Sequence, residues 1–105
     1  MVGTEERRTD ELPPEDAKLL VLARSAAARS VGGSGAGAAV RDDIGRTYVA
    51  GAVAVGPLRL SAVQAAVAQA AASGVTRLEA VAVVGERDVD ADLLAAVGGP
   101  HVVHG

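Results

Sequence analysis

The stretch RLEAVAVVG, residues 77–85, is apolar at almost every position and shows no alternation. A run this short, rich in β-branched residues and bounded by a glycine, reads as a strand covered on both faces. Such a strand needs a layer of structure on each side of its sheet, and the flanking sequence offers helices for both. This one segment therefore points to an α/β architecture.

The other elements follow from local signals. Pro14, Glu15 and Asp16 suit a helix start, and the helix is predicted over residues 15–30. Leu19, Leu22, Ala23 and Ala26 form its apolar stripe. VGGSGAG, residues 31–37, is a loop. It precedes a strand and carries no Gly-Lys-Ser/Thr, so it is not a phosphate loop. AAV, residues 38–40, leads into a turn built on Asp42, Asp43 and Gly45. One strand is predicted over 46–55, with Thr47, Val49, Val53 and Val55 on one face and Tyr48, Ala50, Ala52 and Ala54 on the other. Gly51 is expected to mark a bulge, and Gly56-Pro57 to close the strand. A second helix is predicted over 60–73, a short third one over 90–97, and a last strand over 101–103. The order is α-β-β-α-β-α-β. A hairpin plus right-handed crossovers gives one mixed β-sheet flanked by helices.

Composition restricts what such a fold can do. The 105 residues are 50% apolar, yet Tyr48 is the only aromatic. Ala, Val and Leu bury little area each, at about 25 cal/mol per Å². Self-association to a dimer or tetramer is therefore expected. The alanines at 62, 65, 66, 68 and 70 suit close packing, either between copies or against the sheet. There is no cysteine, which excludes disulfides, iron–sulfur clusters, thiolate zinc sites and cysteine nucleophiles. A net charge of −3 speaks against nucleic-acid binding. Residues 1–13 read as a flexible charged segment ahead of a single domain at 14–105. That segment has no apolar leader and no run is long enough to span a membrane, so a cytoplasmic protein is expected.

Several short motifs resemble the cytidine deaminase family in the same order. GAAV at 37–40 matches a strand start of that family, and IGRTYVA at 44–50 matches its turn and following strand. The family then has Asn-Val-Glu, which grips the ribose. Here Ala52-Val53-Ala54 falls at that place. The family's second helix opens with Cys-Ala-Glu or His-Ala-Glu, a zinc ligand followed by the proton-shuttling glutamate. Here Ser61 stands for the ligand and Val63 for the glutamate. The family's third helix opens with Pro-Cys-x-x-Cys, and here Asp90 and Leu93 stand for the two cysteines. The resemblance therefore implies the fold of a cytidine deaminase without its zinc ligands, catalytic glutamate or ribose contacts. No cofactor and no metal are expected. The resemblance further implies homo-oligomers. Through actinobacterial relatives it also implies a possible protein partner, a ribosome-associated GTPase, and a link with ribosome assembly. The alternative is a divergent cytidine or nucleoside deaminase working through a changed site.

The residues themselves favour structural roles. SAVQ, residues 61–64, is a capping-box pattern, so Ser61 is expected to cap the second helix. Asp90 suits an N-cap, with Asp92 in the first turn. His101 and His104 are expected on opposite faces of a strand, with no third nitrogen or sulfur donor. Arg24, Arg29, Arg41 and Arg46 are expected as solvated surface.

Overall fold

Proline in the first turn of a helix gives up only an N–H that has no partner there. In the computed structural model, which describes residues 11–30, 32 and 35–105, the first helix accordingly starts at a proline. Helix α1 spans Pro14–Ala27, with Glu15 and Asp16 in its first turn and Arg24 in its last. The elements that follow are β1 (Gly37–Asp42), β2 (Thr47–Gly51), β3 (Val53–Val55), β4 (Leu58–Leu60), α2 (Ala62–Ala72), β5 (Leu78–Val84), α3 (Ala91–Ala96) and β6 (His101–His104). The expected charged lead-in falls, through residue 10, outside the described residues, as do residues 31, 33 and 34 of the glycine-rich loop.

Four strands form one mixed sheet in the order β2-β1-β5-β6. β1 runs antiparallel to both β2 and β5, and β5 runs parallel to β6. The apolar run read as a doubly covered strand is β5, inside the sheet. Its Ala80 and Ala82 join Leu19, Leu20 and Ala23 of α1 on one face. Its Val81 and Val83 join Val63, Ala66, Val67 and Ala70 of α2 on the other. Ala62, Ala65, Ala66 and Ala70 are buried within the chain, and only Ala68 of that set is exposed. On α1 the buried stripe keeps Leu19, Ala23 and Ala26 of the expected set and takes Leu20 in place of Leu22, which lies half-buried at its margin.

Two expectations are corrected. The strand predicted over 46–55 breaks in two. The Ala52 N–H donates to Ala36 O (3.1 Å), and the chain then leaves the sheet. Residues 53–55 turn through Gly56 (φ +55°) and Pro57 to pair with 58–60, Val53 opposite Leu60 and Val55 opposite Leu58. The predicted order therefore holds with a separate β3–β4 hairpin added, and Leu58–Leu60 is strand where no strand was expected. Gly51 is not a bulge. A Cβ there would sit 2.9 Å from Ala26 O and from Ser30 of the α1 end. Its cross-strand neighbour is Gly37, where a Cβ would overlap Ala23 O and Ala27 N. This glycine pair lets α1 lie directly on the sheet backbone.

The β1–β2 turn is organised by one carboxylate. Asp42 Oδ1 accepts from the backbone N–H groups of Ile44 (3.0 Å) and Arg46 (2.8 Å). Its Oδ2 accepts from Arg46 Nε (3.1 Å) and the Tyr48 hydroxyl (3.4 Å). Gly45 supplies the positive φ of +91° that the turn requires. Burial pushes the Asp42 carboxyl up, but the Arg46 and Ile44 N–H donors and the Arg46 guanidinium outweigh it, so Asp42 titrates below the usual carboxylate value. A lowered carboxyl contributes stability that is present above its unfolded value of about 3.9 and is lost as the pH falls through the folded value. Asp42→Asn should therefore be less stable than the parent at neutral pH. The gap should narrow as the pH is lowered below about 4, where the parent carboxyl takes up its proton. Urea melts of both proteins across that range provide the check.

Candidate functional site at the start of α2

Helix α2 begins where the β3–β4 hairpin hands the chain back to the domain. Ser61 is its N-cap, in an extended conformation (φ −64°, ψ 164°). The Gln64 N–H donates to Ser61 Oγ (3.0 Å), and the Ser61 N–H donates to Gln64 Oε1 (2.8 Å). This is the reciprocal capping box expected from SAVQ. A third donor of the helix end, the Ala62 N–H, reaches Glu86 Oε2 (2.7 Å). Glu86 arrives there because Gly85, at φ +84°, turns the chain at the end of β5. A Cβ on Gly85 would stand 3.1 Å from Ala36 Cα and Gly35 O, so the turn is close against the loop before β1. The helix terminus, with its partial positive charge, is thus met by a carboxylate of the same chain.

A cavity of about 370 Å³ opens beside this terminus. Ala36, Ala52, Val53, Ala54 and Leu60 form its apolar wall, and Arg59, Ser61, Gln64 and Glu86 contribute its polar groups. Gly32 also borders it, so close to Ala54 that a Cβ on Gly32 would come within 2.6 Å of the Ala54 methyl.

Of the residues singled out from sequence, three line the cavity: Ala52, Ala54 and Ser61. Three do not. Val63 is only 2% exposed and belongs to the α2-side core. Asp90 caps α3, its Oδ1 accepting from the Leu93 N–H (3.1 Å), and the Leu93 side chain packs on that same core. Among the described residues no group of three or more His, Asp and Glu side chains is placed to share a metal ion. His101 and His104 lie on β6, with His101 Nε2 3.0 Å from Asp16 Oδ2 at the far face of the sheet.

Two residues escaped the sequence reading. Arg41, expected at the surface, is only 8% exposed. Its Nε meets Glu79 Oε1 (2.8 Å), its Nη2 meets Asp16 Oδ1 (3.1 Å), and its Nη1 donates to Glu15 O (3.2 Å). Burial pulls the guanidinium down, but Glu79 and Asp16 more than compensate and hold it above its usual value. Its signal was a charge at the end of an otherwise apolar strand. Glu86 was missed because its partner lies 24 residues away. The signal was an acid directly after a strand-ending glycine. Arg46, by contrast, is exposed as expected, though it pairs with Asp42.

Residues 12–101 match the profile of the family described as cytidine deaminase-like. The chain belongs to this family. Among solved structures it is similar to the cytidine deaminase from Mycobacterium leprae, with a TM-score of 0.66 and 27% identity over 79% of this chain and 80% of that one. It is also similar to a point mutant of the cytidine deaminase from Mycobacterium tuberculosis, with a TM-score of 0.68 and 27% identity over 84% of this chain and 82% of that one. No curated protein sequence matches. The mixed α/β fold expected from sequence is thus the fold of the family.

The cap geometry yields its own test. Ser61→Ala should cost about 1 kcal/mol, the usual value of an N-cap. Glu86→Ala should cost about 1–2 kcal/mol, since it removes both a charge-assisted hydrogen bond and a favourable dipole contact. Glu86→Gln, which keeps an acceptor oxygen, should cost less than Glu86→Ala in the same urea titration.

Proposed function

We propose that this chain is a catalytically inactive member of the cytidine deaminase-like family that acts as an oligomeric binding or scaffold protein. The observation that carries the reading is the use made of the start of α2. Zinc in an active member would be held there and at the start of α3. The groups at those places do not fit it. Ser61 is a neutral hydroxyl already engaged with Gln64, Asp90 is engaged with the Leu93 N–H, and Leu93 has no donor atom. Catalytic zinc takes three nitrogen, sulfur or carboxylate ligands, and this set supplies one carboxylate. The place of the proton-shuttling glutamate is Val63, an aliphatic side chain in the core. The ribose-gripping places are the methyl groups of Ala52 and Ala54.

The rival reading, a divergent nucleoside deaminase, would need a metal and a base from elsewhere. Elemental analysis of dialysed protein should find no stoichiometric zinc. Val63→Glu should melt lower than the parent, because the new carboxylate is buried without a partner. It should still release no ammonia from cytidine, with or without added zinc. About one zinc per chain, or turnover by Val63→Glu, would sink the inactive reading.

Self-association is supported by a core made of small side chains and by exposed apolar residues. Val55 and Leu58, a cross-strand pair at the tip of the hairpin, are 55% and 53% exposed. No helix among the described residues is long and apolar enough to cross a membrane. Light scattering after size exclusion at micromolar concentration should give a dimer or tetramer, and a strict monomer of high thermal stability would refute the burial argument. The same measurement with a ribosome-associated GTPase added tests whether the scaffold serves a cytoplasmic partner of that kind.

A further inference from the structure

Arg59 and Glu86 border the same cavity, yet no ion pair joins them. Arg59, on β4, is exposed and has no ion-pair partner among the described residues. Glu86 is half-buried and spends one oxygen, Oε2, on the Ala62 N–H. The same cavity is lined by the methyl groups of Ala36, Ala52 and Ala54. The chemistry of an occupant follows from this arrangement. A simple anion could pair with Arg59 but would face the Glu86 carboxylate. A simple cation would meet the reverse problem. A neutral polar molecule would take water from the half-buried Glu86 carboxylate and neutralise neither charge, which is costly. Only a ligand that carries both signs on a short apolar frame satisfies all three features.

We infer that the cavity binds a small zwitterion, an amino acid with an aliphatic body, whose carboxylate pairs with Arg59 and whose ammonium group pairs with Glu86. The methyl groups of Ala52 and Ala54 then contact the aliphatic part. The volume of about 370 Å³ lies at the small end of the range for ligand pockets and suits a molecule of this size. Arg59 stays open to water, so its pairing is screened and the affinity is modest. The inference rests on the reading of this protein as a binding protein rather than a deaminase.

Titration calorimetry on the full chain tests it with valine and γ-aminobutyrate as the two zwitterions, which differ in charge separation. Butyrate, butylamine and cytidine serve as comparisons. One of the zwitterions should bind saturably in the millimolar range or tighter, and the singly charged compounds about tenfold or more weaker. Arg59→Gln and Glu86→Gln should each weaken that zwitterion by about tenfold or more, while circular dichroism shows both variants folded. Glu86→Gln keeps an acceptor for the Ala62 N–H, so a loss there reads the charge and not the helix cap. Absence of saturable binding by both zwitterions overturns the inference. So does equal binding of butyrate or butylamine, or indifference to both substitutions. Ammonia release from cytidine by the parent protein would instead overturn the underlying functional reading, so the two failures are distinct.

Discussion

Arg41 and its partner Asp16 tie four elements together. Arg41 leaves β1, reaches Asp16 on α1 and Glu79 on β5, and through Asp16 is tied to His101 on β6. Asp16 and Arg41 are both more than nine-tenths buried. Taking such a pair out of water costs several kcal/mol per ion, so the pair is weak evidence for net stability. Its effect is positional. Asp16 has one place to go, and that place fixes the first turn of α1 along β1. The glycine pair Gly37 and Gly51 fixes the other end, where the α1 backbone lies against the strands. Ion network and glycine contact together set the height and register of α1 on the sheet.

With α1 on one face of the sheet, the second face carries the candidate site. Here α2 lies over β1 and β2 and reaches β5, Leu93 and Leu94 of α3 pack at the margin of the same core, and the β3–β4 hairpin stands away from the sheet order. The break at Ala52 takes residues 53–60 out of the four-stranded sheet, and Val53, Ala54, Arg59 and Leu60 join Ser61, Gln64 and Glu86 in lining the cavity. The cavity is thus a product of backbone topology. Its lining can change polarity without altering the scaffold, which is how one fold hosts different functions.

The legible parts of this structure are those with local causes. The capping box at Ser61 and Gln64, the cap at Asp90 and the turn at Asp42 each depend on residues within a few positions, and each forms as the sequence indicates. The doubly covered β5 was legible because continuous hydrophobicity reports two buried faces. The break between β2 and β3 was not. Alternation runs on unchanged through Ala50, Gly51, Ala52 and Val53, and the bond from the Ala52 N–H to Ala36 O still lies in the register of the β1–β2 ladder; the ladder ends because residues 53–55 pair with 58–60 instead. Arg41 and Glu86 were hidden because their partners lie 25 and 24 residues away. In the candidate site, the positions that the resemblance assigns to the family motifs could be counted along the chain. The Glu86 carboxylate at the helix end could not.

On the proposed reading, the contacts at this helix end bear on how a deaminase site would be lost. Metal binding and helix capping compete for the same few atoms at the start of α2. A ligand residue at the N-cap must aim its donor outward at the metal, whereas a capping serine turns its hydroxyl inward onto the N3 N–H. With Gln64 closing the box and Glu86 accepting from the Ala62 N–H, the donors of the terminus are met by acceptors of the chain itself, and turning the Ser61 hydroxyl outward would give up the bond from the Gln64 N–H. The ribose side behaves alike. Ala54 presents only a methyl group to the cavity, close beside Gly32. On the proposed reading the two halves therefore depart from an active site independently, one by the helix cap and one by the methyl groups at 52 and 54. No single substitution reopens both, and the opposite charges of Arg59 and Glu86 are what the cavity retains for recognising a ligand.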